Sequence, residues 1–195
     1  MKRKAGTVCT ALGIALLLAA LSLFGYNEWQ SARAGQAASA ALEEIAPLWA
    51  TPETAESAMA PDAMPAVEVD GQTYVGMLNF PTLNLELPVM AGWDYDKLQS
   101  APCRYSGSLA TADLVIAGHN YTRHFGRLDT LQPGDEVIFT TMNGLQHHYA
   151  VALVETLAAT DLADMTAGEY PLSLFTCNYS GQARVTVRCE ASDDL

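Results

Sequence analysis

The sequence predicts an all-β domain, a barrel or a sandwich, carried behind an N-terminal membrane-spanning helix. Three observations predict it. Residues Gly6 to Gly25 form an uncharged, mostly aliphatic run. From Val67 onward, short apolar and β-branched segments recur between turn residues. Between these regions, a helix-forming stretch gives way to a proline-bearing linker.

Taken in order, residues 1–5 carry Lys2, Arg3 and Lys4 and read as a cytoplasmic tail. Residues 6–26 read as the anchor, because about 20 helical residues rising about 1.5 Å each span about 30 Å of hydrocarbon. The positive flank sets the N-terminus in the cytoplasm and the rest of the chain outside, with Tyr26 and Trp29 at the interface. The competing reading is a cleaved signal peptide, for which Ala38-Ser39-Ala40 offers a cleavage pattern. The apolar run is long for a signal peptide and ends well before that tripeptide.

Residues 27–66 read as an extracytoplasmic helix and linker. Glu28 to Leu48 is rich in Ala, Glu and Gln, and Pro47, Pro52, Pro61 and Pro65 stop its continuation. Residues 67–195 then form the domain. Candidate strands are Tyr74–Phe80, Leu85–Val89, Leu114–Gly118, Glu136–Thr141, His148–Glu155, Leu172–Thr176 and Ala183–Cys189. Pro133-Gly134-Asp135 suits a β-turn and Asn143-Gly144 a hairpin. Asp94–Ser100 and Phe125–Leu131 read as short helices.

The net charge is −12, and from Gly35 onward 6 basic residues face 21 acidic ones. An acidic body excludes nucleic acid as a partner, since that affinity rests on Lys and Arg neutralising phosphates. The cysteines at positions 9, 103, 177 and 189 have no C-x-x-C spacing, and no metal or cofactor is expected. Outside the cell a Cys103–Cys189 disulfide is permitted, with two free thiols as the alternative.

Three features carry chemistry. Leu114 to Gly118 is a buried strand that delivers His119, followed by Asn120, to its rim. Leu172 to Thr176 is a second apolar strand ending in Cys177, next to the polar turn Asn178-Tyr179-Ser180-Gly181. In Arg184-Val185-Thr186-Val187-Arg188, period-two alternation sets both arginines on one face, and a tight connection returns Arg184 to the thiol. Thiolate, imidazole and guanidinium are the parts of acyl transfer: nucleophile, proton carrier and oxyanion donor.

At these residues the sequence resembles the sortase family. Leu172–Cys177 resembles the family's T-L-x-T-C strand, with Ser173 where Thr is usual. Ile116-Ala117-Gly118-His119 resembles its A-G-H motif, and Arg184–Arg188 its R-L-L-V-R-type strand. Phe80-Pro81 with Leu87-Pro88-Val89 resembles its early strand pair. The order His, Cys, Arg also matches, over roughly Thr73 to Glu190. The resemblance implies an eight-stranded closed β-barrel with short helices. It implies that Cys177 is the nucleophile, His119 the acid/base and Arg184 the oxyanion donor, with Arg188 the rival. Thr176 and Asn120 would bind substrate. The implied reaction cleaves an LPXTG-like sorting signal through a thioester and passes the acyl group to an amine. The implied partners are sorting-signal-bearing surface proteins or pilins and an acceptor such as a cell-wall precursor or a pilin lysine. The Cys-to-Arg connection is shorter than in many members, and it assigns no subclass. His124, His147 and His148 match no motif and read as surface or structural, His124 being a candidate for the groove rim.

Other classes account for less of the sequence. Papain-like and transglutaminase-like enzymes place Cys before His, the reverse of this chain. A membrane-tethered barrel that binds peptides without catalysis would leave the thiol incidental.

Overall fold

In the computed structural model of the chain, residues 2–48 and 64–192 are described. Most of the linker expected at residues 50–66, with Pro52 and Pro61, lies outside them. A single helix α1 covers Lys2–Ile45, about 66 Å long at about 1.5 Å per residue. A short 3-10 turn, Ala46–Leu48, follows it at Pro47. The anchor and the predicted helix after it are therefore continuous.

Nine strands follow: β1 (Val67–Val69), β2 (Gln72–Phe80), β3 (Leu85–Met90), β4 (Cys103–Ser106), β5 (Leu114–Ala117), β6 (Glu136–Thr141), β7 (Gln146–Ala158), β8 (Leu172–Cys177) and β9 (Ala183–Ala191). Their order is β1-β2-β3-β4-β5-β8-β9-β7-β6, and β6 pairs back onto β2. Eight strands, β2 to β9, thus close into a barrel that leaves them no free edge, and β1 is appended to β2. The predicted strands all form, several of them longer than expected. Strands β1 and β4 were not foreseen, because three or four residues such as Cys103-Arg104-Tyr105-Ser106 carry no readable alternation. The two predicted helices are 3-10 turns, Lys97–Gln99 and Phe125–Thr130.

The barrel interior holds Leu78, Phe80, Leu87, Val89, Leu114, Ile116, Phe139, Leu172, Leu174, Val187 and Cys189 in one cluster. A smaller cluster of Val115, Ala117, Met165 and Phe175 covers the outer faces of β5 and β8. Met165 belongs to the short helix α2 (Leu162–Met165), which connects β7 to β8. Burial on both faces explains why β5 reads as an unbroken apolar run and why β8 buries even its polar Ser173 and Thr176.

The juxtamembrane half of α1 lies against the barrel. Ser31, Ala34, Ala38 and Ile45 are buried there, at helical spacing, whereas the large side chains from Val8 to Phe24 are exposed, on a stretch long and apolar enough to cross a membrane. Ala38-Ser39-Ala40 is therefore mid-helix, with Ala38 only 2% exposed.

Candidate active site

Strand β8 lies between β5 and β9, and its C-terminal end carries Cys177. On one side, β9 pairs antiparallel with Cys177 directly opposite Arg184. On the other, β5 pairs parallel, with Ala117 opposite Phe175. The Gly118 amide continues that ladder by donating to the Phe175 carbonyl at 3.0 Å. His119 follows directly after this last bond, as Cys177 ends β8 two residues after Phe175. Opposed residues share a face, so Cys177 and Arg184 point outward with Phe175 and Ser173, away from the interior occupied by Leu172 and Leu174. Cys177 and Arg184 therefore share the outer face of one barrel end.

Local sequence produces this arrangement. The Asn178 amide donates to the Ala183 carbonyl at 2.9 Å and the Gly181 amide to the Asn178 carbonyl at 3.0 Å, which closes a tight turn. Gly181 takes φ +74°, a conformation glycine adopts without strain. The Asn178 side-chain oxygen accepts from the Ala183 amide at 3.1 Å. Gly118 is needed for packing: a Cβ there would meet the Phe125 ring at 2.3 Å.

His119 is half-buried. Its Nδ1 lies 3.1 Å from the Asn120 side-chain oxygen, which fixes that nitrogen as the donor and leaves Nε2 for other work. Asn120 in turn donates from Nδ2 to the Asn178 carbonyl at 3.4 Å, tying the loop after β5 to the β8–β9 turn. Burial lowers the His119 pKa, and the Asn120 bond opposes that shift. The imidazole is accordingly mostly neutral at pH 7. The Tyr121 ring stacks on it, with centroids 4.0 Å apart and planes 1° from parallel.

The two arginines are used differently. Arg184 is half-buried and donates from Nη1 to the carbonyls of Gly181 and Ala183, each at 3.2 Å. Arg188 is 5% exposed and makes four hydrogen bonds. It donates from Nε to Glu155 at 2.9 Å, from Nη1 to the Ser173 hydroxyl at 3.1 Å and the Met165 carbonyl at 3.2 Å, and from Nη2 to the Asp164 carbonyl at 2.5 Å. Arg188 pins α2 onto the sheet and has little donor capacity left.

The remaining predicted residues have distinct surroundings. Thr176, expected along the substrate groove, shares the interior-side register of Leu174 and is 4% exposed. Asn120, expected to bind substrate, spends both ends of its amide on His119 and Asn178. His124, a candidate for the groove rim, is 0% exposed and packs beneath α1. His148 pairs with Glu136 at 2.9 Å on the barrel wall. Cys103 and Cys189 form no disulfide; they are buried in separate clusters, and burial pushes their thiols up to about 11 and about 12. Their strands are separated by β5 and β8, which keeps the two sulfurs apart.

Sequence reading missed an aromatic ledge on the face of Cys177. Phe175 meets Tyr105 edge-to-face at 5.2 Å, and Tyr105 meets Trp93 at 5.5 Å. Trp93 is 47% exposed. These residues sit on three separate segments, and only an exposed tryptophan in a loop hints at them. Gln30 and Tyr121 were missed for the same reason.

A family profile described as a sortase domain matches residues 78–192. The chain belongs to the sortase family. Members of this family are cysteine transpeptidases. The fold agrees: the SrtA sortase from Actinomyces oris is 26% identical with TM-score 0.55, covering 67% of this chain and 87% of its own. Sortase C1 from Streptococcus agalactiae is 22% identical with TM-score 0.57, covering 72% and 80%. Sortase C from Clostridium perfringens SM101 is 20% identical with TM-score 0.55, covering 62% and 71%. Sortases A and C match about equally well, so the fold gives the family and no subclass. No curated protein sequence matches the chain.

Proposed function

We propose that this sortase is anchored by α1 with its N-terminus in the cytoplasm, and that it cleaves an LPXTG-like sorting signal outside the cell. The observation carrying the assignment of roles is the register at one barrel end: Arg184 opposite Cys177 on one side, and the strand leading to His119 on the other.

In the first half-reaction Cys177 gives its proton to His119 and its sulfur attacks the carbonyl carbon of the scissile amide. The oxyanion accepts hydrogen bonds from the Arg184 guanidinium, of which only Nη1 is committed among the described bonds. The C–N bond then breaks, and the amine leaves with the proton carried by His119. In the second half an acceptor amine attacks the thioester carbonyl, the C–S bond breaks, and the thiol is restored. The acceptor is a cell-wall peptide amine or a pilin lysine. Asn120 holds the imidazole as the tautomer that presents Nε2. The Phe175–Tyr105–Trp93 ledge receives the apolar residues of the signal.

The test is incubation of the full-length protein with a labelled sorting peptide and an amine. Cleavage, a covalent peptide–enzyme adduct on Cys177 and transfer to the amine are expected. Recovery of intact peptide, bound but uncut, would instead establish a binding module.

A further inference from the structure

The loop that follows His119 is gripped by the juxtamembrane helix. Tyr121, stacked on the imidazole, donates its hydroxyl to the Gln30 side-chain oxygen of α1 at 3.0 Å. The Arg123 amide donates to the Ser31 hydroxyl at 3.3 Å. Gly35 leaves room for the Arg123 side chain, which a Cβ would meet at 2.5 Å. His124 is wholly buried under the same stretch of helix. Gly126 lets the loop fold back on itself, since a Cβ there would lie 2.6 Å from the Asn120 carbonyl. Gln30 is one residue from Trp29, which is exposed and paired with Tyr26 at the end of the apolar run. A chain of direct contacts therefore runs from the membrane boundary to the imidazole.

We propose that Tyr121 is a positioning residue for His119, and that Gln30 on the membrane-proximal helix holds Tyr121 in place. The inference rests on the acid/base role assigned to His119. Its physical basis is simple. Asn120 constrains the imidazole at Nδ1 only and leaves rotation of the ring plane about that bond. A parallel aromatic face at van der Waals distance removes that freedom. A tyrosine on a loop keeps its own orientation only if its hydroxyl is fixed, and Gln30 fixes it. The anchor helix is thus part of the catalytic scaffold as well as a tether.

The experiment uses the full-length protein in detergent micelles with labelled histidine, comparing Tyr121→Leu, Tyr121→Phe and Gln30→Ala. Two readouts are taken: the His119 ring-proton shifts and steady-state cleavage of a sorting peptide. Stacking on Tyr121 moves the His119 signals upfield by ring current. Tyr121→Leu should abolish that shift and lower kcat about tenfold with KM unchanged. Tyr121→Phe keeps the ring, and Gln30→Ala keeps the tyrosine; both should retain part of the upfield shift and lose two- to threefold in kcat, roughly what loosened positioning costs. Should Tyr121→Leu fail to fold, those two variants carry the test. Wild-type shifts and kcat in the variants overturn the proposal, as does lost activity with unmoved His119 signals. If the wild-type protein cleaves no peptide, the transpeptidase reading fails, and the ring-current shifts still decide whether Tyr121 orders His119.

Discussion

Arg184 and Arg188 lie on the same face of the same strand, four residues apart, yet they occupy opposite environments. Arg188 sits mid-strand, buried, bonded to Glu155, Ser173 and two carbonyls of α2. Arg184 sits at the open end opposite Cys177 and, among the described residues, bonds only carbonyls of its own turn. A guanidinium with four of its five N–H donors engaged contributes to stability, because removing it strands buried acceptors. One with donors to spare can serve a transient oxyanion. Position along a strand, rather than residue type, separates the two roles.

The largest expected effect tests the open end as a whole. Cys177→Ala should abolish adduct formation and cleavage, measured by mass spectrometry and peptide turnover, with no change in thermal unfolding. Turnover in that variant would remove the open end as the seat of chemistry. Next, Arg184→Ala should lower kcat by about 10²–10³ without altering stability, the loss typical of one oxyanion donor. Arg184→Lys should recover little, since a point charge does not reproduce the guanidinium fork.

Arg188→Ala should show the converse: about 2–3 kcal/mol less stability in denaturant unfolding, scaled down from a fully buried pair because Glu155 is 30% exposed. Its residual turnover should follow the folded fraction. An inactive but stable Arg188→Ala beside an active Arg184→Ala would invert the comparison.

The same contrast separates His119 from His124. Burial drives the His124 pKa down to about 4, with the Ala34 backbone opposing, and neither ring nitrogen makes a well-formed hydrogen bond. The folded state thus excludes a proton that the unfolded chain accepts near pH 6.5. The stability from neutral His124 is complete above about pH 6.5 and is lost as pH falls toward about 4. The loss should reach about 3–4 kcal/mol, at about 1.4 kcal/mol per pH unit over that window. His124→Leu should flatten the stability-versus-pH curve across that window; an unchanged slope would show that another group titrates there.

The smallest effect is on thiol reactivity. Outside the membrane segment, alkylation of the native protein should label Cys177 alone, since burial holds Cys103 and Cys189 at about 11 and about 12. Rapid labelling of either by intact-protein mass spectrometry would show that the barrel wall opens.

Much of this protein follows from local pattern. The candidate anchor is legible because the hydrocarbon core demands a length and apolarity that few sequences reach by accident. The strand before His119 and the strand ending in Cys177 are legible because apolar runs end abruptly in polar residues, and the strand of Arg184 because it alternates. The two unforeseen strands were too short to show a period, and α2 was too short to show a helical face. What only the tertiary structure decided is adjacency between segments distant in sequence: barrel closure by β2 and β6, the different surroundings of Arg184 and Arg188, the separation of Cys103 from Cys189, and the contact of Gln30 with Tyr121. Local sequence reports the preferences of a few neighbouring residues. Which strand lies beside which, and which face is covered, depends on the packing of the whole chain.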